Sequence, residues 1–192
     1  MNSMNYSIQE KIRKQIEKAF HDDEYPRKEE LSRFNNYQGI TCLESQYVAE
    51  FLHCLDWRDL TLNSLVDSYK GDFTALHNFL TDKAFRYYLP AFLVIILESY
   101  EECDLLADNM ISVLANGRES SHGIENPLNI LSLDDIKIEA TLDFLSYINE
   151  NHGQDFEGEI NLAITNLHNL KTDKKERNRK RGNRKRGQSR FS

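Results

Sequence analysis

Two clusters of carboxylates are the residues of this sequence whose types and spacing could support chemistry. They are Asp22, Asp23 and Glu24, and then Glu98, Glu101, Glu102 and Asp104. The spacing of Glu98, Glu101 and Glu102 predicts that they share one face of a helix. Carboxylates that a fold brings together can bind a divalent cation or raise one another's pKa for proton transfer. Exposed carboxylates can instead attract a cationic protein surface, or they can simply be solvated helix ends. Between the two functional roles we favour the protein-docking surface.

The other chemistry-bearing residues form no catalytic or metal-binding motif. None of the six histidines lies in an H-E-x-x-H sequence, and Cys42, Cys54 and Cys103 are widely spaced without a C-x-x-C pair. A nucleophile elbow, a phosphate-binding loop and a dinucleotide-binding glycine motif are also absent from the sequence. We therefore expect a non-enzymatic protein with no metal and no cofactor, with its cysteines as free thiols.

The formal charge of -7 combines two regions of opposite sign. Residues 171–192 contain 11 basic and two acidic residues, which gives +9, so residues 1–170 carry 13 basic and 29 acidic residues and a charge of -16. The basic segment contains a tandem five-residue repeat and no apolar periodicity, which predicts a disordered tail. Its basic cluster could bind nucleic acid nonspecifically or an anionic membrane, or the tail could serve solubility or fold back on the acidic body. The cluster comprises Arg179, Lys180, Arg181, Arg184, Lys185 and Arg186.

Composition and hydropathy predict a cytoplasmic protein with one folded domain. The chain has 192 residues, of which 40% are hydrophobic and 29% are charged, so it can form a substantial core. Only eight glycines and three prolines are present, which argues against β-sandwiches and disulfide scaffolds. The N-terminus lacks a secretory pattern. The longest apolar run, residues 87–97, is shorter than the roughly 20 residues that span a bilayer.

Apolar residues recur at helical spacing along most of the first 170 residues. Capping boxes at 7–10 and 41–44 predict helices over about 7–20 and 42–55. Further helices are predicted from Thr61 or Asn63 to Tyr69, from Asp72 to Leu80, and over about 91–97, 105–116, 132–152 and 156–167, and Thr81 is predicted to cap a turn that runs to Tyr88. Pro90 either begins a new helix or kinks one, residues 91–97 form the central helix, and 117–131 is a loop. The predicted fold is an all-α bundle of seven to eight short, obliquely packed helices. It forms an acidic domain over 1–170 and is followed by the disordered basic tail at 171–192.

Three motifs resemble those of a family of small bacterial proteins of unknown function. The first combines Phe20 with the Tyr25-Pro26 pair, the second is Trp57, and the third is the block FRYYLPAFL at residues 85–93, which includes Phe85 and Pro90. The resemblance covers residues 8–115. It implies a shared fold and a bacterial origin, and it implies no particular activity.

The motif residues admit either a packing role or a ligand pocket. Arg86 beside Tyr87 and Tyr88 suits a cation–π contact or a buried hydrogen bond, and Trp57 is large enough to fill a joint between helices. A pocket formed by Arg86, the two tyrosines and the second acidic cluster would instead indicate a small-ligand sensor or an enzyme.

The leading hypothesis is a bacterial binding protein related in role to immunity proteins or antitoxins. Its acidic surface would neutralise a protein partner with a basic surface, such as a toxin domain. The alternatives are the sensor or enzyme and a nucleic-acid-associated protein that acts through its tail.

Overall fold

The computed structural model describes residues 3–33, 42–103, 105–120, 123–125 and 133–172. Eight α-helices lie in these ranges, which confirms the predicted all-α class. Their bounds are α1 Ser3–Ala19, α2 Leu43–Leu52, α3 Leu62–Ser68, α4 Leu76–Phe79, α5 Asp82–Glu98, α6 Leu106–Asn116, α7 Asp135–His152 and α8 at 159–172. Helix α8 continues at least to residue 172. The predicted basic cluster of the tail lies outside the described residues.

Helix α5 lies at the centre of the protein. Twelve of its 17 residues are buried, and it packs against α1, α6, α7 and the 3₁₀ turn Trp57–Asp59. The Thr81 hydroxyl caps its N-terminus by accepting from the Ala84 N–H at 3.1 Å. A helix that is apolar on every side is stable only when other helices surround it. The predicted central helix is therefore confirmed.

Pro90 lies inside α5, so of the two predicted roles the start of a new helix is wrong. Proline lacks the N–H that would bond to the carbonyl four residues earlier, and its ring crowds that carbonyl. The residues on both sides of Pro90 are fully or almost fully buried. Their burial maintains one continuous helix despite the missing hydrogen bond.

Several predicted boundaries also differ from the observed ones. Helix α1 begins four residues before the predicted cap at Ser7, since no helix-breaking residue precedes it. Helix α2 ends at Leu52 rather than near 55, because Cys54 adopts a left-handed φ of 66°. Asp72 accepts from the N–H and the hydroxyl of Thr74 and forms a turn, so the predicted helix at 72–80 shortens to α4.

The predicted loop at 117–131 contains a small antiparallel hairpin. Strand β1, Arg118–Ser120, pairs with β2, Gly123–Glu125. Gly117 ends α6 at a positive φ of 91° and donates its N–H to the Val113 carbonyl at 3.0 Å. This glycine turns the chain out of α6 and into the hairpin.

Within the described residues, no helix has both the length and the apolar character needed to cross a membrane.

Candidate functional site

The motif tyrosines meet at one joint between α5 and the chain that follows α2. The Tyr87 ring lies edge-on to Tyr25 and Tyr88, with centroid separations of 5.4 and 5.0 Å. The Tyr25 hydroxyl donates to the Leu52 carbonyl and accepts from the Cys54 N–H, each at 2.8 Å. These bonds satisfy backbone groups where α2 ends and its own hydrogen-bond ladder stops.

The Tyr87 hydroxyl connects this joint to the buried tryptophan. It donates to Oδ2 of Asp56 at 3.0 Å, and Asp56 caps the 3₁₀ turn by accepting from the Arg58 N–H at 2.9 Å. The Arg58 guanidinium lies 4.6 Å from the centroid of the Trp57 ring, and Trp57 is only 2% exposed. Burial and the hydrogen bond to Asp56 raise the pKa of Tyr87 to about 12. The predicted packing role of Trp57 and the tyrosines agrees with these contacts.

The remaining motif residues serve the core. Phe85 is fully buried and its ring lies 6.5 Å from that of Phe92, while Pro26 and Pro90 are also buried. None of these three side chains carries a polar group. Their role is therefore to pack the helices together rather than to contact a polar ligand.

Arg86 faces a cavity of about 250 Å³ at the side of α5. The described residues that line it are Asp23, Glu24, Lys83, Arg86, Tyr87, Leu133 and Lys137. Lys137 forms an ion pair with Asp23, and Lys83 donates to Glu30 at 2.8 Å. We call this space the charged cavity.

The predicted pocket differs from the charged cavity in its carboxylates and in one tyrosine. Tyr88 is absent from its described lining, and the Tyr88 hydroxyl donates to the Leu55 carbonyl at 2.6 Å. Glu98 is 12 residues beyond Arg86 on α5, which corresponds to about 18 Å along the helix axis. Among the described residues, the acidic-cluster carboxylates that line the cavity with Arg86 are therefore those of Asp23 and Glu24 in the first cluster. The rise per residue of an α-helix would by itself have predicted that Arg86 and the second cluster lie too far apart to form one pocket.

The three carboxylates of the first cluster have different surroundings. Asp22 is fully exposed and lies 2.9 Å from Nδ1 of His21. Asp23 is mostly buried in its ion pair with Lys137, and Glu24 is exposed where it lines the charged cavity. The cluster is thus divided between a structural ion pair and the surface.

The second cluster is interrupted by the end of α5, so its members do not share one helix face as the spacing predicted. Glu98 ends the helix and accepts from the Arg13 guanidinium at 2.8 Å. Glu101 and Glu102 follow in a separate 3₁₀ turn and are exposed. Asp104 lies outside the described residues.

Tyr100 connects the second cluster to a carboxylate that the sequence analysis missed. Its hydroxyl donates to Oδ2 of Asp155 at 2.8 Å, and its ring stacks on His152 with a centroid separation of 3.6 Å. Burial and the nearby Asp155 carboxylate raise the pKa of Tyr100. We call Glu101, Glu102 and Asp155 the acidic face. The only sequence signal for Asp155 was its place in an acidic stretch after α7.

The acids of this face lack basic neighbours within the described part of the chain. No described lysine, arginine or histidine nitrogen lies within 4.0 Å of the carboxylates of Glu101, Glu102 or Asp155. The described residues also include no group of three His, Cys, Asp or Glu side chains arranged to hold a metal ion. Exposed charges of this kind interact with solvent and remain accessible to a partner.

Comparisons with known proteins place the chain in a family. Neither the search of curated proteins nor the search of solved structures returned a match. A model of a family of unknown function, DUF6714, matches residues 5–167, which include most of α1, all of α2 through α7 and much of α8. This match confirms the expectation of a family without an assigned activity. Because it spans most of the chain, the protein belongs to the family of unknown function DUF6714.

Proposed function

We propose that this protein is a non-enzymatic binding protein whose acidic face binds a basic protein partner. The observation that carries the proposal is that Glu101 and Glu102 are exposed without a described cation in ion-pair range. In its most concrete form, the protein is a bacterial immunity or antitoxin-like protein, and the partner is a basic toxin domain.

The contrast between paired and unpaired carboxylates supports this choice of surface. Glu98 and Asp23 serve the fold, since they bind Arg13 on α1 and Lys137 on α7. Within the acidic face, Asp155 is held by the hydrogen bond from the Tyr100 hydroxyl, and the Tyr100 ring stacks on His152. A carboxylate that is already held in this way loses less side-chain entropy on binding than a mobile one does.

The charge of the whole body adds a long-range effect. Residues 1–170 carry a net charge of -16, which produces a field that accelerates association with a cationic surface. Such steering weakens as salt is added, because the Debye length falls to about 8 Å at physiological ionic strength. The proposal therefore predicts an association rate that depends strongly on salt.

A charge-reversal experiment distinguishes binding at the acidic face from an effect of the net charge alone. The double variant Glu101→Lys/Glu102→Lys is compared with Glu50→Lys/Asp67→Lys, which changes the charge equally at exposed positions on α2 and α3. The probes are the purified basic proteins encoded by the neighbouring genes and a peptide of alternating lysine and glycine. Association rates are measured by surface plasmon resonance.

The two variants should differ clearly in their binding to a neighbouring gene product. We expect the first variant to slow association about tenfold, and the control to change it by less than about threefold. Equal effects of the two variants would show that only net charge matters and would refute the acidic face. Inhibition of a neighbouring toxin by the parent chain would support the immunity role, and failure to bind any of these proteins would overturn the proposal.

The nucleic-acid alternative has a test of its own. Lys171 forms an ion pair with Glu139 on α7, so a deletion that begins at residue 173 keeps this ion pair and the described residues of α8. If the tail binds phosphates, chain 1–172 should lose both nucleic-acid affinity and its dependence on salt. Unchanged salt-dependent binding after this deletion would exclude the alternative.

A further inference from the structure

We infer that a cavity beside α1 binds a nucleoside diphosphate, with lysines that hold its phosphates and a tyrosine ring that stacks on its base. The cavity has a volume of about 610 Å³, and the described residues that line it all belong to α1. The inference goes beyond the proposed function and is independent of it, because it uses none of the residues of the acidic face.

Three lysines form the cationic wall of this cavity. Lys11, Lys14 and Lys18 are three or four residues apart, which places their side chains on one face of α1. From the first to the last of them the helix rises by about 10 Å. Lysine side chains have flexible four-carbon stems, so their ammonium groups can converge on one ligand within that span. We call these three lysines the basic face.

Two lysines of the basic face are available to an anion. Lys11 and Lys18 are exposed, and no carboxylate of the described residues lies within 4.0 Å of either ammonium group. Lys14 lies 3.1 Å from Glu10, and 70% and 42% of the two side chains are exposed. Water weakens an exposed pair of this kind, so an anionic ligand can compete with Glu10 for Lys14.

The cations favour a phosphate over a carboxylate as the anion. A planar carboxylate is matched best by the fork of an arginine, and the described lining of this cavity contains no arginine. Ammonium groups act as point charges that can approach the oxygens of a phosphate from several directions. A ligand with two linked phosphates can contact all three lysines of the basic face.

The rest of the lining accommodates an organic group attached to the phosphates. The volume lies within the roughly 300–1,000 Å³ of small-molecule sites, which is more than a diphosphate alone fills. Tyr6 lines the same cavity and is 68% exposed, so its ring is accessible for stacking. Aromatic side chains stack on bases of every kind. Ser7 adds a hydroxyl, and Gln15, whose amide donates to Asp143 at 2.8 Å, adds a carbonyl oxygen that can accept from a sugar hydroxyl.

The charge of the surrounding body favours a small anion over a nucleic acid. Residues 1–170 carry a net charge of -16, and a long phosphate backbone would extend past the basic face toward this negative charge. Like charges repel, and screening is incomplete within a Debye length of about 8 Å. A nucleotide is short enough to remain inside the cavity.

Isothermal titration calorimetry of the full chain tests the inference. The ligands are the diphosphates of adenosine, guanosine, cytidine and uridine, with pyrophosphate and citrate for comparison. We expect at least one nucleoside diphosphate to bind about fivefold or more tightly than pyrophosphate, which has no base to stack. It should also bind more tightly than citrate. Equal affinities for citrate and the nucleotides would show a general anion surface and overturn the inference, as would no binding of any nucleoside diphosphate.

A lysine variant assigns the binding to the basic face. Lys11→Gln/Lys18→Gln should weaken binding of the preferred nucleotide at least about tenfold, because hydrogen bonds to charged groups are the stronger ones. The control, Lys174→Gln/Lys175→Gln, removes the same charge from the basic segment at 171–192, which could attract nucleotides by charge alone. It should bind the nucleotide as the parent does. Equal weakening by the two variants would show that only net charge matters and would contradict the assignment.

Variants of Tyr6 test the contact with the base. Tyr6→Ala should weaken nucleotide binding about fivefold or more and leave pyrophosphate binding unchanged, whereas Tyr6→Phe keeps the ring and should bind the nucleotide as the parent does. Because Tyr6 is exposed, both variants are expected to fold, and circular dichroism checks this. If Tyr6→Ala binds the nucleotide as tightly as Tyr6→Phe, no stacking occurs and the inference of a nucleoside ligand is refuted.

Discussion

Removing only the hydroxyl group of Tyr88 should destabilise the protein. The side chain is fully buried, and its hydroxyl lies 2.6 Å from the carbonyl oxygen of Leu55 and 3.1 Å from that of Leu52. Leu52 also accepts from the Tyr25 hydroxyl and from the Leu55 N–H. The Leu55 carbonyl has no other donor among the described residues. Tyr88→Phe therefore leaves that carbonyl without a partner inside the protein.

The size of the effect follows from the burial of the two groups. Leaving a buried polar group without a hydrogen bond costs about 1–3 kcal/mol. Leu55 is only partly buried, so water can compensate in part, and we expect a loss of about 1–2 kcal/mol in the free energy of unfolding. For a chain of this length, each kcal/mol lowers the melting temperature by about 2–4 °C.

Guanidinium unfolding provides a suitable assay, since Trp57 is the only tryptophan and lies at the same joint. Circular dichroism monitors the helices in the same samples. Tyr6→Phe is the matched control, because Tyr6 is 68% exposed. If Tyr88→Phe and Tyr6→Phe unfold at the same denaturant concentration, the assigned hydrogen bond contributes nothing and the reasoning is refuted.

Three further substitutions test separate features of the structure. The pKa of Tyr87 is raised to about 12 in the folded state, so its stabilisation is complete below about pH 10 and is lost as the pH rises toward 12. Tyr87→Phe should flatten this alkaline decline in guanidinium unfolding measured across that pH range. Thr81→Ala removes the cap of α5 and the hydrogen bond to the Glu30 carbonyl, which should cost about 1–2 kcal/mol by thermal unfolding, whereas Thr81→Ser should retain most of the stability. Cys54 has a φ of 66°, so Cys54→Val should lose about 1–2 kcal/mol by the same measurement while Cys54→Gly loses little; equal losses would argue against strain.

The helical class could be predicted because burial imposes a local pattern on the sequence. Each long helix repeats apolar residues every three or four positions, and the Thr81 cap lies immediately before such a repeat. The hairpin has only three residues in each strand, which is too short for an alternating pattern to emerge. Helix α5 continues through Pro90 because other helices pack against it. The sequence around Pro90 does not show this packing, so the continuous helix could not be predicted from it.

The candidate sites could be predicted only in part, because they depend on contacts between distant residues. Tyr100 and Asp155 are 55 residues apart, and Arg13 and Glu98 are 85 apart. Sequence spacing indicated that Arg86 and Tyr87 would lie close together, but it could not show that the segment after α1 would bring Glu24 to the same cavity. It therefore assigned the wrong acidic cluster to the pocket.

The periodicity of α5 separates the residues that stabilise the fold from those that line the charged cavity. Phe85 and Tyr88 are fully buried, whereas Lys83 and Arg86 line the charged cavity. Tyr87 serves both roles, since it lines the cavity and bonds to Asp56. Because the cavity is lined by both α5 and α7, which pack against each other, the ion pair between Lys137 and Asp23 at this cavity also joins α7 to the segment that follows α1.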